Sequence, residues 1–527
     1  MTLSLTETMS QDPHQNSVRV DEHEIESQVV AMLNRRAAVG LAVGVVKHGA
    51  LMCFSGHGLA NIASQTPITE DTVFRIGSIT KTFTAIAVMQ LWEQGLLDLD
   101  APANDYLHAY KLVPARAAHR PATLRHLLTY TAGLPQVAHM SRVFKPTVGE
   151  MVGFGQRVPT LAEFYRGGLR LVAEPGAMHI YSNHGFATLG QIVEEVSGER
   201  LDRYFLKHIF EPLGMDQTDL LRSERVRGRL ATDYSLGSHG PRPIRDCDLI
   251  TAASGGIYST TRSMARYVAA LLGGGANESG AVLKPETLAA MFDPQYQPDP
   301  RLPGVGLAFY RRKVGGHLIV EKDGLVRGFA SQMFVAPHDG VGVVGFTNGA
   351  RAAHGWLGPE LLSILMHVLD VPGDTFSTAV PQHPDAWGDL CGWYGFAGSL
   401  RDVQRWAVAG VQVLVRRGQL TIRLATPIPG LARELPLHPD DDRDPEVFRI
   451  DLSTFDLGSS RVVFSRLPAG EATALHIELP GMPMSFRKQP VIRDPRLWTR
   501  GTLGALGVGT AAAVVRRRRR QYRGSQA

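Results

Sequence analysis

The strongest alternations of apolar and polar positions lie at the two ends of the first 370 residues. LAVGVVKHGALMCFSGHGLANI, from Leu41 to Ile62, carries two apolar runs broken at Lys47–Gly49, the pattern of two strands joined by a turn. Ahead of it, Ile25, Val29, Val30 and Leu33 fall at helical spacing. From Phe83 to Leu97 apolar residues again recur with a helical period, and Gly95 falls near the end of that stretch. Gly- and Pro-punctuated, mostly helical segments fill the middle. Strand-like runs return at VGLAFYRRKV, HLIVEKD, ASQMFVAP and GVGVVGFTN, and a helix, GPELLSILMHVLD, closes the region. Strands at both ends with helices between them predict one antiparallel sheet assembled from distant parts of the chain and flanked by helices, an α+β domain over residues 21–370.

Beyond it the pattern changes. Residues 371–388 are rich in Pro, Gly and small polar residues and read as a linker. VQVLVRRG, QLTIRLA, EVFRIDL, SRVVFSR, ALHIELP and SFRK then follow as short strands separated by charged turns, which predicts a small all-β barrel over residues 389–490. Residues 1–20 are polar and expected to be disordered, and residues 491–527 form a basic tail.

Composition narrows the function classes. The chain has 527 residues, 44% hydrophobic and 20% charged, as in globular proteins of two or three domains. The seven arginines from Arg500 onward, with no acid among them, exceed the whole net charge of +5, so the rest of the chain is mildly acidic. It offers no basic surface for nucleic acid. Cys53, Cys247 and Cys391 cannot staple so long a chain, and neither they nor the histidines show metal-ligand spacing. We expect no metal and no cofactor. The N-terminus lacks the basic-then-apolar pattern of a signal peptide, which together with the few cysteines favours a cytoplasmic protein. In the tail, the 15 uncharged residues between Arg500 and Arg516 fall short of the ~20 needed to span a bilayer. A peripheral helix touching anionic lipid and a plain disordered tail both remain open.

Candidate chemistry begins at Gly77-Ser78-Ile79-Thr80-Lys81. Residues three apart share a helix face, so a hydroxyl and an amine can meet there. A partly desolvated lysine can take the proton of a serine nucleophile, and the backbone N–H of Ser78 at a helix start can hold an oxyanion. The alternative is a capping serine beside a surface lysine. No Gly-x-Ser-x-Gly elbow offers a second route to an esterase.

FRIGSITKTFTAIAVMQLWEQGLLDLDAPANDYL resembles the nucleophile helix of the class C β-lactamase and penicillin-binding-protein-like family of serine hydrolases, which includes esterases, D-aminopeptidases and carboxypeptidases. TLRHLLTYTAGLP, EPGAMHIYSNHGFATLGQIVEEVSG, IFEPLGMDQTD and AASGGIYSTTRSMARYVAALL resemble further family segments in the same order, so the resemblance covers about residues 25 to 370. It implies a β-lactamase/transpeptidase-like fold. LCGWYGF resembles the opening of lipocalin-like barrels appended to relatives of that family.

The resemblance also implies a site. Ser78, Lys81 and Tyr181 are the expected catalytic residues, with Tyr181 held partly as phenolate by neighbouring lysines and shuttling the proton. Asn183 would bond Lys81 and the substrate amide. Lys322-Asp323-Gly324 matches the third motif, with Leu325 supplying the second oxyanion N–H. Asp323 departs from the small or hydroxylated residue usual there, and its charge disfavours carboxylate-bearing β-lactams. The expected function is therefore acyl-enzyme hydrolysis of small esters or D-amino-acid amides. β-Lactamase or D,D-peptidase activity, and a catalytically silent binding protein, are the alternatives. His126, His179 and His184 lie near these motifs and read as packing or surface residues. The oligomeric state is not legible.

Overall fold

A computed structural model describes residues 21–139, 141, 149–372, 380–396, 408–427, 432–455, 458–466, 472–479 and 482–490. The expectations for residues 1–20 and for the 491–527 tail lie outside these. The chain forms two compact units that part near residue 375.

In the first unit, helix α1 (Glu22–Arg35) leads into β1 (Gly40–Lys47), β2 (Ala50–Asn61) and the short β3 (Thr66–Pro67). Helices α2 (Thr80–Glu93), α3 (Asn183–Ser197) and α4 (Thr261–Leu272) come from the middle of the chain. Strands β4 (Tyr310–Val314), β5 (His317–Val326), β6 (Phe329–Ala336) and β7 (Val341–Thr347) and helix α5 (Ala353–Val368) complete it. The seven strands make one antiparallel sheet in the order β4-β5-β6-β7-β1-β2-β3, in which β1 pairs with β7 some 300 residues away, Leu41 opposite Thr347.

Helices cover both faces of this sheet, which explains why β1, β6 and β7 are buried throughout rather than at alternate positions. Leu41, Val43 and Val45 pack with Ile25 and Val29 of α1 and Leu361 and Leu365 of α5. Ala42 and Val46 face the other way, into the larger core with Phe83 of α2 and Val268 of α4. Between them, Gly44 admits α4: a Cβ there would lie 2.7 Å from Thr261 Cγ2.

Helix α2 is buried from Thr80 to Leu91 on every side, although its sequence is not uniformly apolar. Its polar side chains find partners. Thr82 receives a hydrogen bond from Tyr267 at 2.7 Å, Thr84 donates to the Ala253 carbonyl at 2.7 Å, and Gln90 donates to the His208 carbonyl at 2.9 Å. These bonds let a polar helix sit in a core and hold it in one register.

In the second unit, strands β8 (Gly392–Phe396), β9 (Gly410–Arg416), β10 (Gln419–Ala425), β11 (Glu434–Pro436), β12 (His438–Pro439), β13 (Val447–Asp451), β14 (Ser459–Arg466), β15 (Ala472–Leu479) and β16 (Met482–Gln489) form a nearly closed antiparallel sheet in the order β11-β10-β9-β8-β16-β15-β14-β13-β12. Tyr394, Val411, Ile422, Leu437, Ile450, Phe464 and Phe486 are buried side chains of this unit. Pro384–Leu390, which runs across the end of the stretch read from sequence as linker, forms short helical turns with Trp387 and Leu390 buried. Among the described residues, no helix is long and apolar enough to cross a membrane.

Candidate active site

Ser78 sits in a single 3₁₀ turn, Gly77–Ile79, that runs directly into α2 and places Lys81 one turn on. Lys81 Nζ lies 2.9 Å from Ser78 Oγ, 2.8 Å from Asn183 Oδ1 and 2.8 Å from the Ser254 carbonyl oxygen, with the residue fully buried. Two of these three neighbours, an amide oxygen and a carbonyl, can only accept. They claim two N–H bonds of the amine, so its third direction, toward Ser78, carries the lone pair when the lysine is neutral. Burial pushes Lys81 well below the usual lysine range, and the charge of Lys322 pushes the same way, against Glu150 and Asp323. The neutral amine is thereby favoured where it can accept the serine proton.

Tyr181, just ahead of α3, donates from its hydroxyl to Ser78 Oγ at 2.6 Å. Burial raises this phenol far above its ordinary value, and Asp323 raises it further. Both effects run against the expectation of a partial phenolate and favour the neutral phenol. Lys81 and Lys322 lie over its ring, their Nζ atoms 4.9 and 5.4 Å from the centroid. Tyr130 stacks on the same ring at 5.2 Å and on Tyr310 at 5.7 Å.

The third motif lies on β5. Gly324 lets this strand approach the turn that carries Ser78, since a Cβ at 324 would stand 2.1 Å from the Ile76 carbonyl oxygen. Ser331 of β6 donates to that same carbonyl at 2.8 Å and fastens the two segments. The Leu325 backbone N–H consequently comes close to the turn: a Cβ on Gly77 would be only 2.6 Å from that nitrogen. The Leu325 side chain is 50% exposed. Lys322 is buried, 4.7 Å from the Tyr310 ring centroid, and donates to Asp323 Oδ1 at 3.0 Å.

Ser78, Lys81, Tyr181, Asn183, Lys322, Gly324 and Leu325 thus come from three separate stretches of chain and lie close together, with Lys81 and Tyr181 both on the Ser78 hydroxyl. A family model described as Beta-lactamase matches residues 25–357. The chain belongs to the beta-lactamase family. Its relatives include a beta-lactamase of Pseudomonas fluorescens, 28% identical over 320 residues that cover 60% of this chain and 80% of that one. Esterase EstB of Burkholderia gladioli is 31% identical over 217 residues, 41% of this chain and 55% of the esterase. Among solved structures, the octameric penicillin-binding protein homologue from Pyrococcus abyssi superposes with a TM-score of 0.58 at 23% identity, covering 88% of this chain and all of that one. The fold is the β-lactamase/transpeptidase-like one, followed by a barrel-shaped β unit.

Within this beta-lactamase fold, several neighbours of the site carried no legible signal. Glu150, 3% exposed, accepts from Asn183 Nδ2 at 2.9 Å and from Thr251 Oγ1 at 3.2 Å. It belongs to an aperiodic stretch, and only its folded neighbours give it meaning. His184 is fully buried, with Nε2 accepting from the Ala138 N–H at 3.1 Å and Nδ1 2.7 Å from the Tyr165 hydroxyl. His179 is buried between Tyr130 and Tyr310, and burial beside Lys322 lowers it to about 3. His126 has a different task, closing a capping box with Thr123.

Proposed function

We propose that this chain is a serine hydrolase that works through an acyl-enzyme, with Ser78 as nucleophile, Lys81 as base and Tyr181 as acid. The observation that carries the reading is the pair of contacts on one oxygen: Lys81 Nζ at 2.9 Å and the Tyr181 hydroxyl at 2.6 Å from Ser78 Oγ. Ser78 Oγ attacks the substrate carbonyl as its proton passes to Lys81, and backbone N–H groups of Ser78 and Leu325 hold the oxyanion. Tyr181 then gives its proton to the departing alcohol or amine and recovers one from Lys81. Water enters and the same groups act in reverse to release the acid.

Small esters or D-amino-acid amides without a carboxylate next to the scissile bond are the substrates this site favours over β-lactams. Asp323 already meets the charge of Lys322, so a substrate carboxylate finds a compensated cation and a nearby anion. That one relative is named an esterase supports the same ranking.

A panel of p-nitrophenyl esters, D-amino-acid p-nitroanilides and nitrocefin tests this, with Ser78→Ala as the control. Ester or anilide turnover that vanishes in the control is expected. Nitrocefin as the best substrate would instead favour a β-lactamase, and activity retained by Ser78→Ala would end the acyl-enzyme reading.

A further inference from the structure

We infer that Glu150 is a positioning residue for Ser78 and Lys81, acting through the Asn183 side chain; the inference rests on the acyl-enzyme reading above. Glu150 is locked in place by its backbone. It immediately precedes the short strand Met151–Gly153, which pairs with Cys247–Leu249, and its carbonyl accepts from the Ile250 N–H at 2.9 Å. Its carboxylate is buried beneath the site, with Oε2 on Asn183 Nδ2 and Thr251 Oγ1. Oε1 faces His184 Nε2 at 3.3 Å.

A carboxylate can only accept hydrogen bonds, whereas an asparagine amide has one accepting and one donating end. Glu150 therefore decides which end of Asn183 meets Lys81. With the NH2 group drawn to Glu150, the amide oxygen is left to accept from Lys81 Nζ at 2.8 Å. That bond, with the one to the Ser254 carbonyl, turns the lone pair of the amine toward Ser78. If the amide rotated, its NH2 would point at Lys81, and the lone pair would be drawn to it and away from the serine.

The charge of Glu150 has a second effect. The groups around Lys81 are Lys322 and Asp323 from β5, Tyr181 just ahead of α3, His184 in its first turn, and Glu150. Burial and Lys322 lower the proton affinity of the amine, while Glu150 and Asp323 raise it. Removing the Glu150 charge leaves Lys81 deprotonated to lower pH.

The rate at which a fluorophosphonate probe labels the full-length protein, followed from pH 4 to 10, reads both effects without knowledge of the natural substrate. In that reaction the Ser78 Oγ–P bond forms, the P–F bond breaks, fluoride leaves and the hydroxyl proton passes to Lys81. Glu150→Gln keeps the shape and removes the charge, and should move the acid limb of the profile down by about one pH unit. Glu150→Ala also frees the amide, and should slow labelling at pH 7 by about 10- to 100-fold. Labelling at the wild-type rate with an unmoved acid limb in both variants, or losses matching only the unfolded fraction seen by circular dichroism, would overturn the role of Glu150. Labelling of Ser78→Ala at the wild-type rate marks a different failure, that of the acyl-enzyme reading itself.

Discussion

The Lys322 ammonium donates to the Asp323 carboxylate at 3.0 Å, so this buried cation is matched by an anion on the adjacent residue of the same strand. Replacing Asp323 by serine leaves the Lys322 charge open to a substrate carboxylate. The Asp323→Ser variant should therefore hydrolyse nitrocefin about 10-fold or more faster relative to a neutral p-nitrophenyl ester than the parent does. The ratio of the two kcat/KM values measures this, and an unchanged ratio would show that Asp323 does not set charge preference.

Gly324 separates packing from chemistry. An added methyl would collide with the Ile76 carbonyl, pushing β5 away from the turn that carries Ser78. Gly324→Ala should lower kcat by about 100- to 1,000-fold, the usual cost of losing one oxyanion donor. Steady-state kinetics on an ester checks it, provided circular dichroism shows a folded protein.

The proposed base and acid roles of Lys81 and Tyr181 agree with the directions in which burial moves the two side chains. Lys81 is lowered, so its reactive neutral form persists to lower pH than for a free lysine. Tyr181 is raised, so its reactive protonated form persists to higher pH than for a free tyrosine. A plot of kcat/KM against pH should thus rise along an acid limb set by Lys81, well below the ordinary lysine value of about 10.4. It should then show no loss from Tyr181 at pH 9–10. A decline centred near pH 10 that disappears in Tyr181→Phe would contradict this assignment.

Much of the fold was legible because apolar runs at both ends of the first unit had no other use than strands of one sheet. The barrel was legible from short strands at regular intervals. Helix α2 shows where pattern alone stops: Thr82, Thr84 and Gln90 look like surface positions, yet each is buried against a partner far along the chain. Three motifs marked the candidate residues, since their spacing is local. What spacing could not convey was orientation. Whether a lysine meets a tyrosine at its oxygen or its ring depends on packing, and here Lys81 and Lys322 lie over the Tyr181 ring while burial and Asp323 favour its neutral form. Glu150 lay beyond reach for the same reason, because its partners Asn183 and Thr251 are 33 and 101 residues away.

The core beneath the site has its own consequence. Phe83 of α2 is fully buried, stacked on Tyr267 at 4.0 Å and edge-on to Phe210 at 5.8 Å. Phe83→Ala should destabilise the first unit by about 3–5 kcal/mol. Urea denaturation followed by tryptophan fluorescence checks this value.

The central claim is that a hydroxyl, an amine and a phenol make Ser78 the reactive nucleophile of this chain. Intact-mass analysis after treatment with a fluorophosphonate, followed by peptide mapping, tests it most directly. One adduct per chain on the Ser78 peptide is expected, absent from Ser78→Ala and strongly slowed in Lys81→Met. An adduct at another residue, or equal labelling in Ser78→Ala, would contradict the account.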